Sequence, residues 1–235
     1  MSAQTFDRKT IVRALVRFVL LMLILPAMLF IAAGTINWPM GWAYCIVTIA
    51  VVTGSRMLMA RTDPTLISER AGRHADDGVQ EWDKKIVPIV GFFGPMLLLI
   101  VCGLDKRWAW SPEIPLAVQI VALVIVAGAA LFSTWAMMAN RFFSATVRIQ
   151  KDRRHTVADK GPYSFVRHPG YLGGIIADFA GPIALGSLWA LVVGVVLAGV
   201  TVYRTAREDK VLHEELAGYK QYAQKVRYRL LPGVW

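Results

Sequence analysis

The residues best suited to chemistry lie in one short stretch, GPYSFVRHPGYLGG, at positions 161–174. Two tyrosines there offer flat rings with a hydroxyl, and an Arg-His-Pro turn stands between them at the start of an apolar run. Glycine–proline pairs favour tight turns, and glycine lets a backbone approach a ligand closely. Helix packing gives no reason for this order of residues. The stretch therefore indicates either a turn at a membrane surface or the wall of a site for a polar ligand.

A second pair of residues follows the next apolar run. Arg204 and Glu208 are four positions apart, so they lie on one face of a helix. If the chain returns to the side of the membrane from which it entered, this cation and carboxylate arrive at the level of His168. A solvated ion pair on a helix surface, with tyrosines that belong to an interfacial aromatic belt, is the alternative interpretation.

The elements that must position these residues are membrane helices. The chain of 235 residues is 56% hydrophobic and 18% charged, whereas soluble domains carry about 25% charged residues. Crossing a bilayer takes about 20 apolar residues. Four runs reach or approach that length, at positions 15–36, 41–60, 86–104 and 115–139. A fifth run, 173–203, is interrupted at Gly181-Pro182 and at Gly186-Ser187, which predicts two shorter antiparallel helices.

The predicted fold is an all-α integral membrane bundle of four full transmembrane helices, a shorter helical hairpin near 171–204, and a cytoplasmic C-terminal helix. Residues 1–235 form a single membrane domain, with transmembrane helices in 1–139 and the cofactor-binding, catalytic half in 140–235. The polar loop 61–85 is predicted to lie along the cytoplasmic surface, with a helix start at Asp63-Pro64. A lid over the site is the alternative role for this loop.

Positive charge is distributed unevenly along the chain. If the N-terminus is cytoplasmic, 24 of the 26 Lys and Arg residues fall on the cytoplasmic side, and only Lys106 and Arg107 fall outside. This is the positive-inside bias, and it explains the net charge of +10 by topology and anionic lipid headgroups rather than by nucleic acid. We expect both termini in the cytoplasm of a bacterial cell. Cys45 and Cys102 lie in predicted membrane helices without ligand-type partners, so no disulfide or metal site is predicted.

The motifs of the C-terminal half resemble those of a known family. The run from Gln150 to Gly173, with HTV at 155–157 and RHPGY at 167–171, resembles the signature of the isoprenylcysteine carboxyl methyltransferases and the related membrane phospholipid methyltransferases. The tail, with Arg204 and Glu208 followed by a Tyr-x-x-Tyr pattern at 219–222, is similar to that family's closing segment. The resemblance covers about residues 140–235. It departs from the family at Val157-Ala158 and in the extra basic residues at 151–154.

This resemblance implies an S-adenosylmethionine-dependent methyltransferase without a Rossmann domain. It assigns Arg204 and Glu208 as catalytic residues, with Arg204 also contacting the substrate. The cofactor contacts it implies are Gln150, His155, Thr156, Val157, Ala158, Tyr163, His168, Pro169, Gly170, Tyr171 and Glu208. We expect the turn to lie outside the hydrophobic core, so that His168→Ala and Tyr171→Ala leave the bundle folded.

Methyl transfer from a sulfonium needs mainly alignment of the nucleophile, the methyl group and the sulfur. Carboxyl O-methylation of a prenylcysteine- or isoprenoid-like acid is the favoured reaction, because Arg204 could hold a carboxylate in a fork and no base is needed. A phospholipid amine or a thiol remains open as the acceptor, with His168 or Glu208 taking the proton. The substrate would enter from the bilayer.

Two other functions remain open from the sequence. A membrane reductase that uses NADPH on a sterol or enone would have Arg153 and Arg154 available for the 2′-phosphate. A transporter or sensor is the third hypothesis. Against it, Asp178 is the clear carboxylate within the apolar runs, whereas ion pathways usually contain several ionisable groups.

Overall fold

A computed structural model describes residues 8–62 and 78–235 of the chain. Within these residues the regular structure is helical and no strand is present. The α-helices are α1 (Arg8–Ala33), α2 (Pro39–Thr62), α3 (Glu81–Pro88), α4 (Gly94–Trp108), α5 (Leu116–Ala139), α6 (Pro169–Ala184), α7 (Ala190–Glu215) and α8 (Tyr219–Lys225). A π-helical turn, Ile89–Phe93, joins α3 to α4, and short 3-10 turns occupy Lys151–Arg153 and Gly161–Ser164. The predicted Asp63-Pro64 helix start lies outside the described residues.

The predicted class, an all-α integral membrane protein, is confirmed. Four helical spans in the described residues are long and apolar enough to cross a membrane: Pro39–Thr62, Glu81–Trp108, Leu116–Ala139 and Ala190–Glu215. Large apolar side chains such as Ile46, Val124 and Val195 point outward from these spans, each with more than half of its surface exposed. A contiguous apolar exterior of this kind suits lipid rather than water.

Helix α1 covers Arg8–Ala33, and among the residues whose side chains the structure describes its apolar stretch is Phe18–Ala33. Three of the four long spans coincide with runs that were predicted as full-length helices. The fourth is α7, which belongs to the predicted short hairpin. No glycine or proline occurs between Val200 and Ala217, so nothing stops this helix until Glu215. The predicted cytoplasmic C-terminal helix is therefore the second half of α7, followed by the seven residues of α8.

The break within the hairpin lies at one of the two predicted places. Pro182 sits inside the last turn of α6 and does not end it. The chain turns at Gly186, whose φ of +75° is the left-handed conformation that glycine adopts without strain. The next residue, Ser187, bonds Asp105 of α4, with 2.5 Å between the two oxygens. That buried contact fixes the turn between α6 and α7 against the end of α4.

Among the described residues, helices α5 and α6 form the most extensive helix–helix contact, and this contact joins the C-terminal half to the N-terminal helices. A Cβ at Gly173 would collide with Ser133 Oγ on α5. The Ser133 hydroxyl also donates to the Gly170 carbonyl at 3.3 Å. Glycine at 173 therefore lets the first turns of α6 lie directly against α5. The Arg-His-Pro turn that precedes α6 is held at the same level.

Candidate functional site

A pocket opens at the end of the bundle where α6 begins. Its walls come from the 140–158 segment, the turn at 161–168 and the polar half of α7. Its volume is about 780 Å³ when the part open to solvent is included. Eight residues that the sequence predicted as ligand contacts line it: His155, Val157, Ala158, Tyr163, His168, Gly170, Tyr171 and Glu208. The structure thus brings most of the predicted residues into one cavity.

The other four predicted residues lie beside the pocket rather than on its lining. Gln150 is fully buried and braces the wall, since its Nε2 donates to the Phe142 carbonyl at 2.7 Å. Thr156 is exposed. Pro169 is buried in the first turn of α6, where proline is favoured because the missing N–H needs no partner. Arg204 lies behind the Tyr171 ring, and its guanidinium is 5.1 Å from the ring centroid.

Tyr171 and Glu208 connect α6 to α7 across the pocket. The Tyr171 hydroxyl donates to Glu208 Oε2 in a short hydrogen bond. Glu208 therefore presents its remaining acceptor capacity toward the cavity that it lines. The ring of Tyr171 also stacks beside His168, with the ring centroids 5.8 Å apart and the planes nearly parallel. This gives the pocket a carboxylate and two flat rings on adjoining walls.

The partner of Arg204 is not the one that the sequence suggested. Its Nε and Nη2 donate to the two carboxylate oxygens of Asp83, at 2.7 and 3.1 Å. Nη2 also donates to the Ala145 carbonyl at 2.7 Å. The fork that was expected to hold a substrate carboxylate is thus occupied within the protein. Its role toward a substrate stays a prediction, with a different geometry from the one expected.

Asp209 forms the most connected polar cluster at the site. It is only 1% exposed, and Arg167 binds it through Nε and Nη2 at 2.9 and 3.0 Å. The Tyr219 hydroxyl donates to Oδ1 at 2.8 Å, and Arg229 Nε to Oδ2 at 2.8 Å. Nε2 of His168 lies 3.2 Å from Oδ1. Because a carboxylate accepts, His168 donates from Nε2.

The C-terminal tail closes over the same cluster. The N–H groups of Arg167 and His168 donate to the carbonyls of Tyr228 and Arg229, both at 2.9 Å. Nη1 of Arg167 donates to the carbonyls of Val226 and Arg227. The Arg-His-Pro turn is therefore held by backbone and side-chain bonds together.

This cluster corrects one expectation. The turn does not lie outside the core, because His168 and Arg167 are 6% and 8% exposed and share a buried carboxylate. Removing the His168 side chain should consequently lower stability as well as alter the pocket. A buried acceptor that loses one donor costs about 1–3 kcal/mol. We therefore expect His168→Ala to lower the stability of the bundle, contrary to the prediction from the sequence.

His155 lies on the opposite wall, stacked on Phe142 with a centroid distance of 4.4 Å. Its Nδ1 accepts the Gln150 N–H at 3.3 Å, which favours the tautomer with the proton on Nε2. Burial, together with the neighbouring Arg148 and Arg153, lowers the pKa of His155 to about 4. The imidazole is therefore neutral at neutral pH, a flat ring with one donor facing the pocket.

Sequence reasoning missed Asp83, Asp209 and the aromatic lining from Phe142, Phe143, Tyr219 and Tyr222. Asp209 follows Glu208 directly, in a part of α7 that is rich in charged residues. Asp83 lies in the polar loop that was assigned to the membrane surface. The sequence signal that could have identified them is charge, since each is an acidic residue in a segment rich in Lys and Arg, where a carboxylate can pair with a cation. Tyr219 is a neutral donor here, because burial and the Asp209 carboxylate raise its pKa.

Comparison with known proteins places this geometry in a family context. Residues 120–214 match the model of the isoprenylcysteine carboxyl methyltransferase (ICMT) family. The protein-S-isoprenylcysteine O-methyltransferase B of Arabidopsis thaliana is 27% identical over 126 residues. The aligned part makes up 53% of this chain and spans about 60% of that relative. The matched region contains all the predicted site residues, from Gln150 to Glu208.

Proposed function

We propose a specific reaction for this chain, whose residues 120–214 match the model of the isoprenylcysteine carboxyl methyltransferase family. The protein transfers the methyl group of S-adenosylmethionine to the carboxylate of a lipophilic acid of the S-isoprenylcysteine class. The observation that carries this proposal is the pocket at the start of α6, where Glu208 and several aromatic rings meet at the end of an apolar bundle. Supporting it are the family match and the name of the plant relative.

The lining of the pocket fits the chemistry of S-adenosylmethionine. That molecule carries a sulfonium and an ammonium cation, a carboxylate and a flat adenine. Glu208 and the rings of Tyr171 and Tyr219 suit the cations, because aromatic faces attract positive charge. Two arginines line the pocket, and each pairs with a carboxylate of the chain, Arg167 with Asp209 and Arg148 with Asp152. Arg148, buried beside Asp152, would meet the carboxylate of the donor.

The residues of this chain act by holding and orienting. When bound, S-adenosylmethionine supplies an electrophilic methyl group, and transfer to a carboxylate requires alignment rather than a base. The bond from Tyr171 fixes the rotamer of Glu208, and Asp209 fixes the ring of His168. The neutral His155, which lies over the Phe142 ring, adds a flat wall. Side chains held in this way keep donor and acceptor aligned for in-line transfer.

An apolar groove next to the pocket supports a lipophilic acceptor. It runs between α5, α6, α7 and the C-terminal tail and has a volume of about 1,360 Å³, including the part open at the surface. Its lining is apolar and includes Leu172, Phe179, Val202 and Trp235. Leu172 directly follows Tyr171 of the pocket, so the first turn of α6 contributes a side chain to each of the two spaces. An isoprenoid chain in this groove would bring a polar head toward the pocket.

One of the two arguments for the reductase hypothesis, beside the R-H-P-x-Y-like turn that such reductases share, does not fit the pocket. Arg153 and Arg154 were the residues suggested for a 2′-phosphate, but neither lines the pocket. Arg153 donates to Gln150 Oε1 at 2.9 Å and lies over the Phe142 ring. Arg154 is exposed, with a left-handed backbone at φ +54°. Methyl transfer is therefore the function we retain.

We further propose that the pocket faces the cytoplasm, with both termini on that side and anionic lipids around the basic rim. This orientation rests on the distribution of Lys and Arg. Reporter fusions after Lys106 and after Lys160 test it. Opposite sides for the two positions support the topology, and the same side contradicts it.

Ligand binding by the detergent-solubilised full chain tests the proposed cofactor. S-adenosylmethionine should raise the melting temperature in a concentration-dependent way, since a ligand that binds the native state stabilises it, and NADPH should not. Glu208→Gln should weaken this response, whereas the matched change Glu215→Gln, on the exposed end of the same helix, should not. Stabilisation by NADPH and none by S-adenosylmethionine would contradict the proposal.

A further inference from the structure

Asp83 is a buried carboxylate for which the proposed reaction has so far no role. It is the third residue of α3 and is 0% exposed. Both of its oxygens bind Arg204, and Oδ2 also accepts the Val147 N–H at 2.7 Å. The Gln80 N–H donates to the Val147 carbonyl at 3.1 Å. The start of α3 is thus joined by three sets of bonds to α7 and to the pocket wall.

Arg204 keeps one edge of its guanidinium outside these bonds. Nε and Nη2 are taken by Asp83 and Ala145. Within the described part of the chain, Nη1 donates to no acceptor. Among the described residues, no side-chain polar atom is both sealed from solvent and without a hydrogen-bond partner. Nη1 therefore keeps some exposed surface, and the carbon of the same guanidinium lies 5.1 Å from the centroid of the Tyr171 ring, which lines the pocket.

This geometry changes what Arg204 can offer to an anion. A free guanidinium binds both oxygens of a carboxylate in a fork. With Asp83 on the Nε–Nη2 edge, only the N–H groups of Nη1 remain, and they suit a single oxygen. The carboxylate of Asp83 also offsets much of the cation's charge. A substrate oxygen bound there is oriented without being neutralised, as a nucleophile requires.

We infer that Asp83 is a positioning residue for methyl transfer, which sets the orientation of Arg204 so that Nη1 meets one oxygen of the acceptor carboxylate. This inference rests on the proposed function and adds a residue to it. Asp83 acts through Arg204 and through the wall at 145–147, of which Val147 lines the pocket. It touches neither the methyl donor nor the acceptor.

The test compares Asp83→Asn with a matched control, Asp105→Asn. Asp105 is also buried, at 3% exposure, but it bonds Ser111 and Ser187 at the other end of the bundle. For each full-length variant in detergent, we would measure S-adenosylmethionine affinity, melting temperature, and kcat and KM with N-acetyl-S-farnesylcysteine as the acceptor.

For Asp83→Asn, we expect kcat to fall about 10- to 100-fold, because small misplacements near the reacting atoms have effects of this order. The affinity for S-adenosylmethionine should stay within about threefold of the parent value, because Arg204, which Asp83 orients, would contact the acceptor and not the methyl donor. Asp105→Asn should leave kcat near the parent value. Asp83→Glu keeps the charge but shifts the guanidinium, so its kcat should lie between those of the parent and Asp83→Asn. If Asp83→Asn does not fold, Asp83→Glu carries the comparison.

A double-mutant cycle separates positioning from general damage. In the Arg204→Lys background the planar edge is already lost, so adding Asp83→Asn should change kcat less than about threefold, the non-additivity expected of residues in one network. Three outcomes would overturn the inference: a parental kcat in Asp83→Asn, additive losses in the cycle, or a joint loss of cofactor affinity and kcat that Asp105→Asn shares. A parent protein without turnover contradicts the proposed function instead, and the inference falls with it.

Discussion

The two ends of the bundle bury carboxylates in different ways. At the end near the α6–α7 turn, Asp105 accepts hydrogen bonds from the Ser111 N–H and from the hydroxyls of Ser111 and Ser187, all neutral donors. At the pocket end, Asp83 and Asp209 are met by arginines. Neutral donors suffice to fix a turn. Buried ion pairs bring a desolvation cost that often cancels their attraction, so their concentration around the pocket points to positioning of side chains rather than to stability.

The largest expected effect is at Asp209. Asp209→Ala leaves the buried Arg167 without a counter-charge, and breaking a buried ion pair in this way costs about 3–5 kcal/mol. The free energy of unfolding, measured in mild detergent with added denaturant, should fall by that order. Asp105→Asn should cost less, about 1–3 kcal/mol, because it weakens only neutral donors. Equal losses would remove the distinction between the two ends.

The next effect concerns binding rather than stability. Glu208→Gln removes the charge that faces the pocket, and hydrogen bonds to charged groups contribute about 1.5–3 kcal/mol. We expect S-adenosylmethionine affinity, measured by titration calorimetry, to fall roughly 10- to 100-fold. Melting temperature without ligand should change little, because Glu208 lines an open cavity. A large loss of stability with unchanged affinity would make Glu208 a structural residue.

A smaller effect is expected at Tyr171. Tyr171→Phe keeps the ring that lies between Arg204 and the pocket and removes only the hydroxyl that bonds Glu208. This bond ends on a carboxylate, for which about 1.5–3 kcal/mol is usual, but it holds Glu208 in place without contacting the cofactor. Only part of that energy should appear in cofactor affinity, which should therefore fall by less than in Glu208→Gln. Equal affinities in Tyr171→Phe and the parent would mean that Glu208 is held in place without this contact.

The smallest effect is a pH dependence from His155. Its pKa is lowered to about 4 in the folded chain, against about 6.5 in an unfolded one. The unfolded state therefore binds more protons between these values, so this contribution to stability is present above pH 6.5 and declines as the pH falls toward 4. The melting temperature should drop less steeply from pH 7 to 5 in His155→Gln than in the parent. Identical slopes would show that His155 is solvated.

The fold could be predicted largely because its determinants are local. Apolar length defined the helices, and the glycine at 186 marked the hairpin turn. The proline at 182 misled, because a proline near a helix end can be accommodated in the last turn. The change from apolar to charged residues near Arg204 predicted the end of one helix and the start of another. The structure has one continuous helix there, because no helix-breaking residue occurs at that position.

The site could be predicted only where its residues lie close together in the sequence. The turn from 161 to 171 and the Arg204–Glu208 spacing identified one wall each, and the structure brings them together through Tyr171. Asp83 lies 121 positions from Arg204, and no periodicity links such distant partners. Which carboxylate occupies an arginine is decided by tertiary packing. For that reason the sequence could not show that Asp83 occupies the Nε–Nη2 edge of Arg204, which was predicted to bind a substrate carboxylate.

The most direct test of the central claim is the chemical nature of the product. The full chain, with S-adenosylmethionine labelled in the methyl group, is incubated with N-acetyl-S-farnesylcysteine, and the organic extract is then treated with base. Carboxyl methylation predicts label in a methyl ester, released as volatile methanol by base, with strong loss of label in Glu208→Gln and none in Glu215→Gln. Label that resists base, or that appears only with a phospholipid amine or thiol as the acceptor, would contradict transfer to a carboxylate.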